Sequence, residues 1–160
     1  MKNILVVLLA CVFLAESATA SVSNTPIKKQ ETIKVGLDSL WGNLITIIAE
    51  SGGFINVADK PTGIITFKKA LTKDEIRKYA VEKAPMASAG YIKGDAYITI
   101  RVKPIEQDST SITITTSQMQ GYVPGYPGHL LTYDVNSNGK LEEDIFNTIK
   151  AQCGKQVTSE

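Results

Sequence analysis

The chain has 160 residues, with 17 Lys and Arg against 16 Asp and Glu and 43% hydrophobic residues. That length suits one domain once a leader is removed. The near balance of charge gives nucleic acid or an anionic membrane no bulk attraction, and the basic pairs Lys28-Lys29 and Lys68-Lys69 are too short to read as a patch.

Residues 1–20 read as a signal peptide. Lys2 gives a positive start, residues 4–14 form an apolar run too short to span a bilayer, and Ala18-Thr19-Ala20 is a small-residue cleavage site. Leu8-Leu9-Ala10-Cys11 also has the look of a lipobox. The short apolar run before Cys11, and its continuation through Val12-Phe13-Leu14, favour simple cleavage instead. The expectation is an exported protein, periplasmic or extracellular, with no membrane anchor unless Cys11 is lipidated. Without Cys11 the remaining cysteine is Cys153, so no internal disulfide can form. A free thiol or an intermolecular bridge remains open, and a buried small apolar residue is favoured.

Residues 21–31 are polar and aperiodic and read as a flexible linker. A single domain is expected over residues 32–153, with a disordered tail at 154–160. Residues 32–37 alternate weakly as a first strand. A helix follows, with Asp38 as its N-cap and Leu40, Trp41, Leu44, Ile45 and Ile48 on one apolar stripe. Ser51-Gly52-Gly53 ends it. Gly42 inside this helix suggests a close backbone approach. Residues 54–58 and 64–68 flank the turn Asp59-Lys60-Pro61-Thr62-Gly63 and read as a hairpin.

Thr72 and Glu75 have capping-box spacing, with Leu71 and Ile76 placed as a hydrophobic staple. The second helix should run to about Ala84 and stop at Pro85, covering the surface with a thin stripe of Ile76, Tyr79 and Ala80. A strand over 91–102 then turns Ala96, Ile98, Ile100 and Val102 one way, and Asp95, Tyr97, Thr99, Arg101 and Lys103 the other. It pairs with residues 110–119, which point Ile112 and Ile114 inward and Thr113, Thr115 and Ser117 outward. Residues 121–128, rich in Gly, Pro and Tyr, read as a loop. A short strand at 129–134 and a helix at 141–152 finish the domain. The first turn of that helix carries Glu142, Glu143 and Asp144, which suits the helix dipole.

The order β-α-β-β-α-β-β-(β)-α predicts an α+β domain: an antiparallel sheet packed on a C-terminal helix. One core is expected from Trp41, Leu44, Ile48, Ile98, Ile100, Ile112, Ile114, Ile145 and Ile149.

The sharpest motif is Asp134-Val135-Asn136-Ser137-Asn138-Gly139, the first half of a calcium loop. Its twelfth position, which should close the ligand shell, is Ile145. An Asx-rich turn capping the last helix is therefore favoured, and no metal is expected. His129 is the one histidine and reads as a loop residue. No nucleophile elbow, paired-cysteine, zinc-protease or phosphate-loop motif occurs. No catalytic residue and no cofactor are expected. The candidate partner-binding residues are Tyr97 and Arg101 on the outward strand face, and Tyr122 and Tyr126 in the tyrosine loop, since tyrosine and arginine favour interfaces. A rigid connector is an equal reading of that loop.

The run from Asp38 to Phe67 resembles the repeat domain of the BamC lipoprotein of outer-membrane β-barrel assembly, and related helix-grip envelope domains. The residues that carry the likeness are Asp38, Trp41, Gly53, Asp59 and Gly63, with Ser137 to Ile149 similar to the closing helix entry. The resemblance implies a sheet curled round a long C-terminal helix and no enzymatic activity. The expected function is then a non-catalytic binding module of the cell envelope with a protein partner and no nucleic acid. The alternative is a carrier holding a small apolar ligand between sheet and C-terminal helix.

Overall fold

A computed structural model describes residues 27–82, 90–125 and 128–156, with side chains to Cys153. The expected signal peptide and most of the expected linker lie outside the described residues, as do Pro85 and Tyr126. The elements are β1 (Lys28–Ile33), α1 (Leu37–Glu50), β2 (Gly53–Asp59), β3 (Ile64–Thr72), α2 (Lys73–Tyr79), β4 (Lys93–Glu106), β5 (Ser109–Pro124), β6 (Leu130–Val135) and α3 (Lys140–Gln156). This is the expected α+β order. All pairings are antiparallel, in the sheet order β1-β5-β4-β3-β2. The long β5 pairs β1 through its first half and β6 through its second, so β1 and β6 share one edge end to end.

Alternation along the strands sends one set of side chains to the helices. Ile65, Phe67, Ala96, Ile98, Ile100, Ile112, Ile114 and Val123 are buried there, against Leu40, Leu44, Ile47 and Ile48 of α1 and Leu141, Phe146 and Ile149 of α3. Burying such side chains stabilises by about 1.5–3 kcal/mol each. Trp41 and Ile145, expected in the core, are only partly buried at its margin. The helical pitch explains Trp41: Leu40, Leu44, Ile47 and Ile48 follow the 3.6-residue period, and Trp41 falls to their flank. In α3 the buried face is made by Leu141, Phe146, Ile149 and Cys153, and Ile145 packs at its margin.

Several boundaries move. β1 begins at Lys28, inside the expected linker, because Lys29 and Glu31 face the helices and Glu31 pairs with Lys150 of α3. α3 continues to Gln156, past the start of the expected tail. The N-cap of α1 is Gly36, with no side-chain cap. Asp38 instead meets Lys60 at 2.7 Å, which with its charge holds the Asp38 carboxyl below its ordinary pKa. At Gly42 a Cβ would meet nothing within 4 Å, so no close approach explains that glycine. Gly63 is the reverse case. Its φ is 66°, and a Cβ would lie 2.1 Å from the Val102 carbonyl oxygen.

The capping box of α2 forms: the Glu75 N–H donates to Thr72 Oγ1 at 3.3 Å and the Thr72 N–H to Glu75 Oε2 at 2.8 Å. Burial raises the Glu75 pKa, but these hydrogen bonds and Lys69 together outweigh it and hold the pKa low. Leu71 and Ile76 are both buried, as the staple requires. The helix stops at Tyr79, short of Ala84, because the turn before α3 takes over its last carbonyls. The Asn138 N–H donates to Tyr79 O at 2.8 Å, and Asn138 Nδ2 to Lys78 O at 2.8 Å. Ala80 then turns extended and bridges Ser137.

β5 carries a bulge at Ser117, between the pairs Ile98–Thr116 and Tyr97–Gln118. An extra residue flips the alternation, so Thr116 and Met119 both face inward. The inward Thr116 N–H donates to Glu142 Oε1 at 3.3 Å, and Ser137 Oγ donates to Glu142 Oε2 at 2.7 Å. Glu142, expected as a surface charge near the helix dipole, is fully buried. Cys153 is also buried, as favoured from sequence, and burial pushes its thiol pKa up.

Candidate functional site

The sheet has a second face, which no described helix covers. β3, β4 and β5 present Ile64, Thr66, Lys68, Asp95, Tyr97, Thr99, Arg101, Thr113, Thr115 and Tyr122 there, at least partly exposed. The edge strand β2 adds Phe54 and Val57, which are 72% and 49% exposed. Register puts Phe54 beside Lys68 and Val57 beside Thr66. The bulge at Asn56 brings Val57, three residues after Phe54, to the same side.

Near the start of β4, a polar network crosses the three inner strands of this face. Asp95 Oδ2 accepts from the Tyr122 hydroxyl at 2.7 Å and pairs with Lys68 Nζ at 2.8 Å. Lys68 Nζ sits 5.7 Å from the centre of the Tyr97 ring, and Lys93 Nζ 5.6 Å from that of Tyr122, both within cation–π range. The Asp95 carboxylate raises the pKa of Lys68 and, as hydrogen-bond acceptor, that of Tyr122. Both partners stay protonated at neutral pH, and both aromatic rings are held in place. This network builds an aromatic and cationic surface.

Tyr97 and Tyr122 thus meet on one surface. Arg101 is on the same face, two alternations along β4 from Tyr97, so about 13 Å away. Tyr122 is not in a loop: residues 121–124 continue β5 and pair with β6. Gly121 makes this possible, since the Tyr91 ring closes over it where a Cβ would lie 2.4 Å from ring carbons. Sequence reasoning missed Lys68, Phe54 and Val57. The alternation of β4 already grouped Asp95 with Tyr97, but which residues lie across from them depends on register, which no local pattern states.

The loop Asp134–Gly139 spends its side chains within the fold. Asp134 Oδ1 accepts from Gln118 and Gln120, each at 3.2 Å. Asn136 Nδ2 donates to Glu82, and Asn138 Oδ1 accepts the Lys140 N–H at 3.1 Å, starting α3. Among the described residues no group of three His, Cys, Asp or Glu side chains could hold a metal ion. His129 is exposed beside β6. No described helix is long and apolar enough to cross a membrane.

Among the described residues, grooves open at both ends of the bare face. One, of about 580 Å³, runs along Ala70, Thr72, Lys93, Asp95, Tyr122, Leu130 and Thr132. The other, of about 510 Å³, lies at the opposite end, around Arg101. On the covered face, the space between α1, α3 and the sheet is a cavity of about 40 Å³ lined by Leu44, Ile48, Phe67, Ile100 and Ile149.

No protein-family model matches the chain. No curated protein matches it either. Among solved structures it is similar to a DUF4468 family protein from Bacteroides ovatus, at 10% identity and a TM-score of 0.37, over 68% of this chain and 59% of that one. The match therefore spans less than two thirds of that protein's length.

Proposed function

We propose that this chain is an exported, non-catalytic binding module of the cell envelope, BamC-like in kind, that docks a protein partner on the bare face of its sheet. The observation that carries the reading is the content of that face. Phe54, Val57, Tyr97 and Tyr122 supply apolar and aromatic area, and Lys68, Asp95 and Arg101 supply polar groups that set orientation. Interfaces are enriched in tyrosine and arginine, and rigid aromatic side chains lose little entropy on binding.

The carrier reading has less support. A cavity of about 40 Å³ has room for about one water, whereas small-molecule sites run from about 300 Å³ upward.

Native mass spectrometry of the protein taken from its own cells tests the reading. The expected result is one protein partner at fixed stoichiometry, lost in Tyr97→Ala while the melting temperature holds. A stoichiometric small apolar molecule in place of a protein would overturn it in favour of the carrier.

A further inference from the structure

The groove at the Arg101 end of the bare face is lined by Lys28, Lys60, Arg101 and Lys103 and by no acidic residue. Lys60 is paired with Asp38. Among the described residues Lys28, Arg101 and Lys103 have no ion-pair partner, although the chain carries nearly as many acids as bases. Three unneutralised cations around one groove make a local positive field that the net charge hides.

The layout of these cations selects among anions. Arg101 and Lys103 are alternate residues of β4, so their side chains leave the sheet about 7 Å apart. Lys28 is on β1, across β5 from them, since Arg101 and Gln30 both pair with Thr113 and Lys28 pairs with Thr115. Two strand spacings and two residues put it about 12 Å from Arg101. Ser111 and Thr113 floor the space between with hydroxyls, and Pro61, Leu37 and Pro104 wall it. Charges spread this way do not converge on a single phosphate. Arg101 and Lys103 match a chain whose negative groups recur about every 7 Å, which is the spacing of alternate side chains on an extended peptide, and Lys28, about 12 Å on from Arg101, is placed for a later negative group of the same segment.

We propose that this groove binds an extended acidic segment of the protein partner, with Asp or Glu at alternate positions set against Arg101 and Lys103 and a later one set against Lys28. The inference rests on the binding-module reading and names the chemistry its partner brings.

The test uses the purified chain and three probes: a fluorescent eight-residue peptide alternating Thr and Glu, the same peptide with Gln for Glu, and inorganic tripolyphosphate. The Glu peptide binds, the Gln peptide does not, and added salt weakens the complex because the contacts are exposed charges. Arg101→Glu with Lys103→Glu weakens binding by about tenfold or more, as reversed charges do at an interface. Lys28→Glu, on another strand, weakens it independently, so the test survives misfolding of either variant. Equal binding of Glu and Gln peptides, or of wild type and variants, overturns the proposal. So does saturable binding of tripolyphosphate with no binding of the Glu peptide, which would make the groove a phosphate site. If the peptide fails but a partner still co-purifies and depends on Tyr97, only the groove assignment falls. If no partner co-purifies either, the binding-module reading falls with it.

Discussion

Along β4, Ala96, Ile98, Ile100 and Val102 turn towards α1 and α3 and are at most 5% exposed. Their neighbours Asp95, Tyr97, Thr99, Arg101 and Lys103 turn the other way and meet solvent. The same strand builds two unlike surfaces one residue apart. The buried side chains of the covered face are mostly aliphatic and aromatic, and the cavity between them and the helices is about 40 Å³. The bare face mixes hydroxyls, rings and charges, several of them tied only to each other. Stability resides on the first face, which leaves the second free to be shaped for recognition at small cost to the fold.

The largest expected effect tests that division directly. Phe146 of α3 is fully buried against the sheet. Phe146→Ala should cost about 3–5 kcal/mol, from lost burial and the cavity left behind. Thr99→Ala, on the bare face opposite Thr66 and Thr115, should cost less than about 1 kcal/mol. Urea unfolding of both variants, read at unchanged m-value, gives the comparison. Similar losses at the two sites would break it.

The covered face also buries Thr110, Thr116 and one charged side chain, Glu142, which sharpens the contrast. Glu142 is buried and accepts from the Thr116 N–H and Ser137 Oγ. Glu142→Ala should cost about 1–3 kcal/mol, because it leaves a bulge N–H buried without a partner. Glu143→Ala, one residue on and exposed, should change the same unfolding midpoint hardly at all. The Thr116 N–H should lose its protection from hydrogen exchange in the first variant and keep it in the second.

Much of this was legible in the chain, and the failures share a cause. Period-two alternation gave the inward set of β4, and period 3.6 gave Leu40, Leu44 and Ile48, because both follow from backbone geometry alone. The capping box at Thr72 and Glu75 is likewise a contact between near neighbours. What failed was set by distant partners. β1 reads as polar linker because Glu31 is satisfied by Lys150, more than a hundred residues on. α2 ends early because Asn138 takes its carbonyls. The bulge at Ser117 has no glycine to mark it, and without it the burial of Thr116 and Glu142 cannot be inferred. At the candidate site, Tyr97 and Arg101 were readable from alternation. Tyr122 was misplaced because Gly and Pro mark loops more often than strands, and here the Gly makes room for the Tyr91 ring.

Gly42 offers a change that should raise stability without touching either face. It is exposed in the middle of α1, and a Cβ there would meet nothing. Gly42→Ala should stabilise the fold by up to about 1 kcal/mol, since alanine loses less backbone entropy in a helix. Peptide binding at the Arg101 groove should not change. A loss of stability would mean that α1 needs flexibility at that point.

The smallest expected effect lies at the rim of the covered face, where charge and not carbon ties α2 to α3. Asp144 of α3 accepts from Lys78 and, at 2.8 Å, from the Tyr79 hydroxyl of α2. The Lys78 ammonium, with help from Tyr79, outweighs the opposing effect of burial and holds the Asp144 carboxyl below its ordinary pKa. A carboxyl depressed in the folded state adds stability above its unfolded pKa of about 3.9, and that stability is lost as pH falls through the lower folded value. The pair is substantially exposed, with side chains 52% and 42% accessible, so solvent screening keeps its worth small. Asp144→Asn should therefore melt slightly below wild type at pH 7. The gap should narrow as the pH drops below about 4, because wild type then loses the same charge. It should also shrink in high salt. A gap that stays constant from neutral to strongly acidic pH would show that Asp144 acts through its hydrogen bond to Tyr79, which Asn weakens at every pH, and not through its charge. The two α2 contacts would then have to be reapportioned, with the rim behaving like the buried Glu142 site and unlike the charged bare face.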